Sequence, residues 1–173
     1  MINESATHQR APSYLKPHDR YLICVGTFLE WFEYSLFGFF IGSIAKAFIP
    51  LQSLFWQHTL GWLFFACGLV SRFIGVYFFN HAYHRFGKKY SLILSLNLMA
   101  LSTTAIGLLP TYDSIGILAP FFLLFFRIIQ GISMSGEFLS ATLLLYEWTP
   151  KQQRTLYPPL IAASSCLGIA LSA

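Results

Sequence analysis

Residues 115–146 read IGILAPFFLLFFRIIQGISMSGEFLSATLLLY, thirty-two residues with only two charges, Arg127 and Glu137. The stretch runs from Ile115 to Tyr146 and stops before Pro150. It is far too apolar for a helix at the surface of a soluble domain. A bilayer core of about 30 Å needs about 20 helical residues, and this segment exceeds that. Four more apolar segments surround it, at about 21–48, 54–79, 90–109 and 155–173, the first ending at Pro50 and the third at Pro110. Helices are the open-ended way to satisfy backbone groups in lipid. The sequence therefore predicts an all-α, polytopic membrane bundle of four complete transmembrane helices plus most of a fifth. Residues 1–19, polar and carrying Pro12 and Pro17, read as a short cytoplasmic arm.

Composition agrees. Of 173 residues, 55% are hydrophobic and 18% aromatic, and 10% are charged, against about 25% in an ordinary soluble domain. Mean hydropathy is +0.58. So few charges cannot cover a soluble core, so the solvent is lipid and an integral membrane protein is expected. The net charge of +4 does not indicate nucleic acid, because the basic residues form no face; they cluster at segment ends. Arg10, Lys16 and Arg20, then Arg85, Lys88 and Lys89, then Lys151 and Arg154 fall on one side, and Lys46 alone on the other. That asymmetry places the N-terminus, 80–89 and 147–154 in the cytoplasm, and 49–53 and 110–114 outside. Cys24, Cys67 and Cys166 lie in separate segments and read as small buried hydrophobes. His81 and His84 have no third ligand nearby, so no metal or other cofactor is expected. Gly87-Lys88-Lys89 lacks the Ser/Thr of a P-loop. No nucleophile or catalytic dyad is visible, and an enzyme is not expected.

Five charges lie at membrane depth: Glu30, Glu33, Arg72, Arg127 and Glu137. Each costs about 2.5–3.5 kcal/mol on insertion scales, so each needs a partner or a task. Depths estimated at about 1.5 Å per residue match Glu30 with Arg72, put Glu137 near them, and let Arg127 meet Glu33. Glu30 and Glu33 share one helix face; Arg127, Gln130, Met134 and Glu137 share another. These stripes should face a bundle interior or a water-filled path for solute and protons. The acids outnumber the cations by one, and an acid left without a cation at low dielectric takes up a proton more readily, as proton-coupled transport requires. Gly38 and Gly42, Gly131 and Ser135, and Ser164 and Gly168 are small pairs four apart, suited to close helix packing.

Three stretches carry a resemblance. Phe28-Leu29-Glu30-Trp31-Phe32-Glu33-Tyr34 is similar to LEWFD, with Glu33 at the aspartate. Leu69-Val70-Ser71-Arg72-Phe73-Ile74-Gly75 is similar to L-x-R-P-x-G, with Phe73 for the proline. Arg127 to Glu137, RIIQGISMSGE, is similar to R-x-x-Q-G-x-S-x-G-G-E. Together they resemble the major facilitator superfamily, in its metabolite:proton symporter group of proline/betaine, alpha-ketoglutarate and citrate carriers. A fourth stretch, Asn80 to Lys89, resembles the cytoplasmic gate loop G-H-L-G-D-R-x-G-R-K: Arg85, Gly87, Lys88 and Lys89 match, while Asn80, Tyr83 and His84 replace two glycines and the aspartate. The resemblance implies a proton-coupled carrier of a small organic solute, an osmolyte or a carboxylate, in a bacterial inner membrane. It assigns Glu30, Glu33, Arg72, Arg127, Gln130 and Glu137 to the solute and proton pathway. It also implies a twelve-helix protein, of which this chain supplies part of the N-terminal half. The chain alone is then not expected to transport, and a second polypeptide or a second copy would supply the missing half. The alternatives are a degenerate remnant, or a small membrane interaction protein with no transport role.

Overall fold

A computed structural model describes residues 17–50, 53–148 and 157–173. Among the described residues seven helices run in chain order: α1 Pro17–Phe39, α2 Ile41–Phe48, α3 Leu54–Phe86, α4 Lys88–Gly107, α5 Tyr112–Ile115, α6 Leu118–Trp148 and α7 Tyr157–Ser172. Arg10, Lys16, Lys151 and Arg154, and with them most of the arm and of the 147–154 connection, lie outside the described residues.

The helices bury polar side chains and expose apolar ones. Phe73, Tyr77 and Leu108 are 80%, 82% and 78% exposed, whereas Thr27, Glu30, Ser91, Arg127, Gln130 and Glu137 are buried. Water would reverse that arrangement; lipid permits it. Among the described residues, α3, Lys89–Gly107 of α4 and Leu118–Glu137 of α6 are each long and apolar enough to cross a membrane. The molecule is an all-helical membrane bundle.

Helix α6 lies at the centre and packs on both α3 and α4, while α1 packs on α7. Small residues set these contacts. A Cβ added at Gly131 would strike the Gly68 carbonyl oxygen and Ser71 Oγ; one at Gly75 would strike Ser135 Oγ and the Ile132 carbonyl. The α3 and α6 backbones therefore touch, as small residues allow in lipid. On α7, a Cβ at Gly168 would come 2.5 Å from the Phe28 carbonyl oxygen and 2.9 Å from the Phe32 nitrogen. Helix α4 packs on α6 and buries Ser91, Ser95, Met99 and Ser102. Ser95 and Ser102 donate to carbonyls of their own helix, so they enter the interface without an unpaired hydroxyl.

Three boundaries differ from the sequence reading. The first segment is two helices, interrupted at Phe40, and within the described residues the first of them takes in Pro17–Phe39. The fourth has a one-turn prelude, α5. The third difference is the largest: the expected loop 80–89 is mostly helix, because α3 continues to Phe86 and α4 starts at Lys88. Nothing between Asn80 and Phe86 is glycine or proline, so nothing there breaks the helix. The joint is Gly87 alone, at φ 90° and ψ 167°, a conformation open to glycine and strained for other residues.

Candidate solute pathway

Helices α1, α4 and α6, with Ile44 of α2, border two adjoining open cavities. The larger, about 300 Å³, is bordered by Glu33, Phe37, Thr103, Arg127 and Gln130 among others. The smaller, about 260 Å³, is bordered by Gly26, Glu30, Glu33, Thr103 and Glu137 among others. Glu33 and Thr103 belong to both and form the step between them.

Arg127 is 1% exposed. Its guanidinium lies over three rings, 4.5 Å from the Tyr34 centroid, 4.0 Å from Phe37 and 5.4 Å from Phe65. Such stacking stabilises a desolvated cation by about 2 kcal/mol. Arg127 Nη1 donates to the Gln130 side-chain oxygen, while Nε and Nη2 have no hydrogen-bond partner. Gly68 makes room: a Cβ there would sit 3.3 Å from both Cγ and Nε of Arg127. Gln130 donates in turn to the Glu33 carboxylate and, at 3.3 Å, to Thr103 Oγ1. Thr103 Oγ1 donates to the same Glu33 oxygen. The result is a relay, Arg127–Gln130–Glu33, buttressed by Thr103.

The sequence-expected ion pairs take a different form. Among the described residues, no Arg or Lys nitrogen comes within 4.0 Å of a carboxylate oxygen. Arg127 reaches Glu33 only through Gln130. Arg72, half-buried, lies over the Trp31 ring at 5.5 Å from its centroid and does not bond Glu30 or Glu137. The indole of the residue next to Glu30 takes the guanidinium by its negative face. Both oxygens of Glu30, and Oε2 of Glu137, are buried without a hydrogen-bond partner. The charges acting on Glu30 include those of Glu137, Arg72 and Glu33.

At the far end of α3, Arg85, Gly87 and Lys89 are exposed around the glycine joint; the side chain of Lys88 lies outside the described residues. His81 and His84 are exposed on the same helix end.

Sequence reading missed Thr103, the three rings around Arg127, and Gly68. One signal was available for the last: Gly61, Gly68 and Gly75 recur every seven residues in α3 and are all buried, a small-residue seam of the kind that accepts another helix. The rings lie on two helices and no spacing within one segment joins them.

The sequence is similar to known transporters. It is 31% identical over 149 residues to the proline/betaine transporter of Escherichia coli (strain K12), covering 86% of this chain and 30% of that protein. It is 30% identical over 149 residues to a glycine betaine/proline/ectoine/pipecolic acid transporter of Dickeya dadantii, with the same coverage. It is 36% identical over 131 residues to a putative proline/betaine transporter of Staphylococcus haemolyticus, covering 75% of this chain and 28% of that one. The chain thus spans about 30% of the length of these relatives. No solved structure matches it. The family model described as Major Facilitator Superfamily matches residues 23–173, from within α1 through α7, and the chain belongs to that superfamily.

Proposed function

We propose that the α1–α4–α6 cleft is one wall of the solute path of a proton-coupled carrier for a small organic solute, with a zwitterionic osmolyte as the best fit and a carboxylate second. One observation carries the reading: the cleft is divided by charge. Arg127 offers two buried donors without partners at one end, and carboxylates without cations lie at the other. A solute carboxylate would take the Arg127 donors, and its ammonium end would turn toward Glu33. The names of the relatives, transporters of proline, betaine, ectoine and pipecolic acid, support that chemistry. The relatives from Escherichia coli and Dickeya dadantii also support an inner-membrane location.

Alternating access requires two bundles rocking about a central site. The facing wall therefore comes from further sequence, a second polypeptide or a second copy. Binding to the chain in nanodiscs tests the solute assignment directly. Radiolabelled proline or betaine should bind saturably, and Arg127→Ala should abolish binding. Preference for citrate, or zwitterion binding that survives Arg127→Ala, would overturn it. Vesicles holding only these 173 residues should match empty vesicles in uptake. Uptake driven by a pH gradient should appear when the remaining part of a relative is co-reconstituted.

A further inference from the structure

The relay leaves two acids unused. Glu30 is 1% exposed and Glu137 is 2% exposed. Neither oxygen of Glu30 has a hydrogen-bond partner, and neither does Oε2 of Glu137. Both acids border the smaller cavity, of about 260 Å³. Glycine at position 26 gives the second carboxylate its place, since a Cβ there would lie 3.1 Å from Glu137 Oε1.

The surrounding charges do not neutralise the pair. From α1 itself Glu33 adds a further negative charge, already held by Gln130 and Thr103. From α3 comes Arg72, whose guanidinium rests on Trp31. Residues 157–173, which include α7, contain no charged residue, and the only ones in α4 are Lys88 and Lys89 at its start. At least seven positions separate these lysines from Leu96 in the cavity wall, a rise of about 10 Å. A buried charge without a protein partner binds a cation or a proton. The polar donors around the cavity are carboxylates and the hydroxyls of Thr103 and Thr104, with no Cys or His among them. Hard oxygen donors suit an alkali ion or a proton and not a transition metal.

We propose that Glu30 and Glu137 share one monovalent inorganic cation, H⁺ or Na⁺, at a site separate from the Arg127–Gln130–Glu33 relay. The proposal deepens the coupled-carrier reading by naming where the coupling ion sits and leaving the solute to the larger cavity. Trp31 is a built-in reporter. With the cation bound, Arg72 stays on the indole; with the site empty, Glu30 draws Arg72 away from it.

The test follows Trp31 fluorescence and thermal unfolding of the chain in nanodiscs, without solute, so that it can fail independently of solute binding. NaCl is titrated against choline chloride at constant ionic strength, at alkaline and at acidic pH. A Na⁺ site gives a saturable response at alkaline pH, with its midpoint moved at least tenfold upward at acidic pH. A proton site gives a response to pH alone, unaltered by NaCl. In either case Glu30→Gln and Glu137→Gln each remove the response, Gly26→Ala weakens it, and Asp113→Asn, at an exposed position, keeps it. Trp31→Phe removes the ion-dependent change in fluorescence, leaving the constant emission of Trp56, Trp62 and Trp148, and keeps the unfolding shift. Both Gln variants delete a buried charge without changing size, so insertion is retained. Absence of any response to either ion, or a response that persists in both Gln variants, overturns the proposal.

Discussion

Gln130 stands between Arg127 and Glu33, accepting from the guanidinium through its side-chain oxygen and donating to the carboxylate through its nitrogen. A neutral amide thus separates two charges that a direct ion pair would have cancelled. The pairing would have removed both from the cleft. Held apart, Arg127 keeps two donors without partners and Glu33 remains on the border of both cavities. The cleft gains a charge gradient across one side chain, and the rings of Tyr34, Phe37 and Phe65 offset part of the cost of keeping the cation there.

Gln130→Leu should therefore be destabilising as well as inactivating. It leaves Arg127 with its rings alone and Glu33 with Thr103 alone. Removing a partner from a buried polar group costs about 1–3 kcal/mol, more for charged groups. Thermal unfolding in one detergent should show a lower midpoint for Gln130→Leu than for the parent chain. Arg127→Lys should also fail to bind solute, because an ammonium cannot donate in a fork and stack flat on rings together. An unchanged midpoint for Gln130→Leu would mean that the relay carries no stability.

The α3–α6 contact makes a second, sharper prediction. Gly75→Ala and Gly131→Ala each drive a methyl group into the opposite backbone. Overpacking of this kind costs about 1–3 kcal/mol or forces the helices apart. Gly107 meets nothing within 4 Å and ends α4, so Gly107→Ala should leave stability unchanged or raise it by up to about 1 kcal/mol. The yield of monodisperse protein on size exclusion should fall for the first two and hold for the third. Equal yields would remove the close backbone approach from the account.

Much of this was legible in the sequence because lipid demands long apolar helices, and the hydropathy of 54–86, 89–107 and 118–137 records that demand. The end of α3 was not legible the same way. Asn80 to Arg85 turn polar because they leave the hydrocarbon, which says nothing about the backbone; the helix runs on until Gly87 allows a break. Depth matching placed Arg72 level with Glu30, but depth is one coordinate. Which way the side chain turns around the helix axis depends on α1 presenting Trp31 beside it. The stripe Arg127, Gln130, Glu137 was readable from helical spacing. Thr103 was not, since a threonine in an apolar segment acquires its role only when α1 and α4 flank the same carboxylate.

Topology is checkable without any structure. Eight basic residues at segment ends fall on one side and Lys46 on the other, and on that asymmetry the N-terminus and the Gly87 joint are expected in the cytoplasm. Reporter fusions after Gln9 and after Asp113 should give opposite sidedness. The α5 turn carrying Asp113 then faces outward, as does Gln57, which donates to the Ile49 carbonyl at 2.9 Å and ties the end of α2 to the start of α3. Equal sidedness at the two fusion points would refute the arrangement of the spans.

The last prediction concerns the joint itself. Gly87 carries φ 90° and ψ 167°, and a Cβ there would meet nothing within 4 Å. Gly107, which also has open space around it, lies in the helical backbone at the end of α4. Comparing alanine at the two positions therefore isolates backbone strain from crowding. Holding a non-glycine residue in such a conformation costs about 1–3 kcal/mol. Gly87→Ala should lower the unfolding midpoint while Gly107→Ala does not. The strain has a second outlet, because α3 ends at Phe86 and α4 begins at Lys88: a residue that refuses this φ pushes the two helices toward one continuous rod and splays their packing on α6. Cross-linking between cysteines placed at Phe79 and Gly136, where α3 and α6 are in contact, should then fall in Gly87→Ala. If stability and cross-linking both match the parent, the joint tolerates a side chain and its geometry does not hold that end of the bundle.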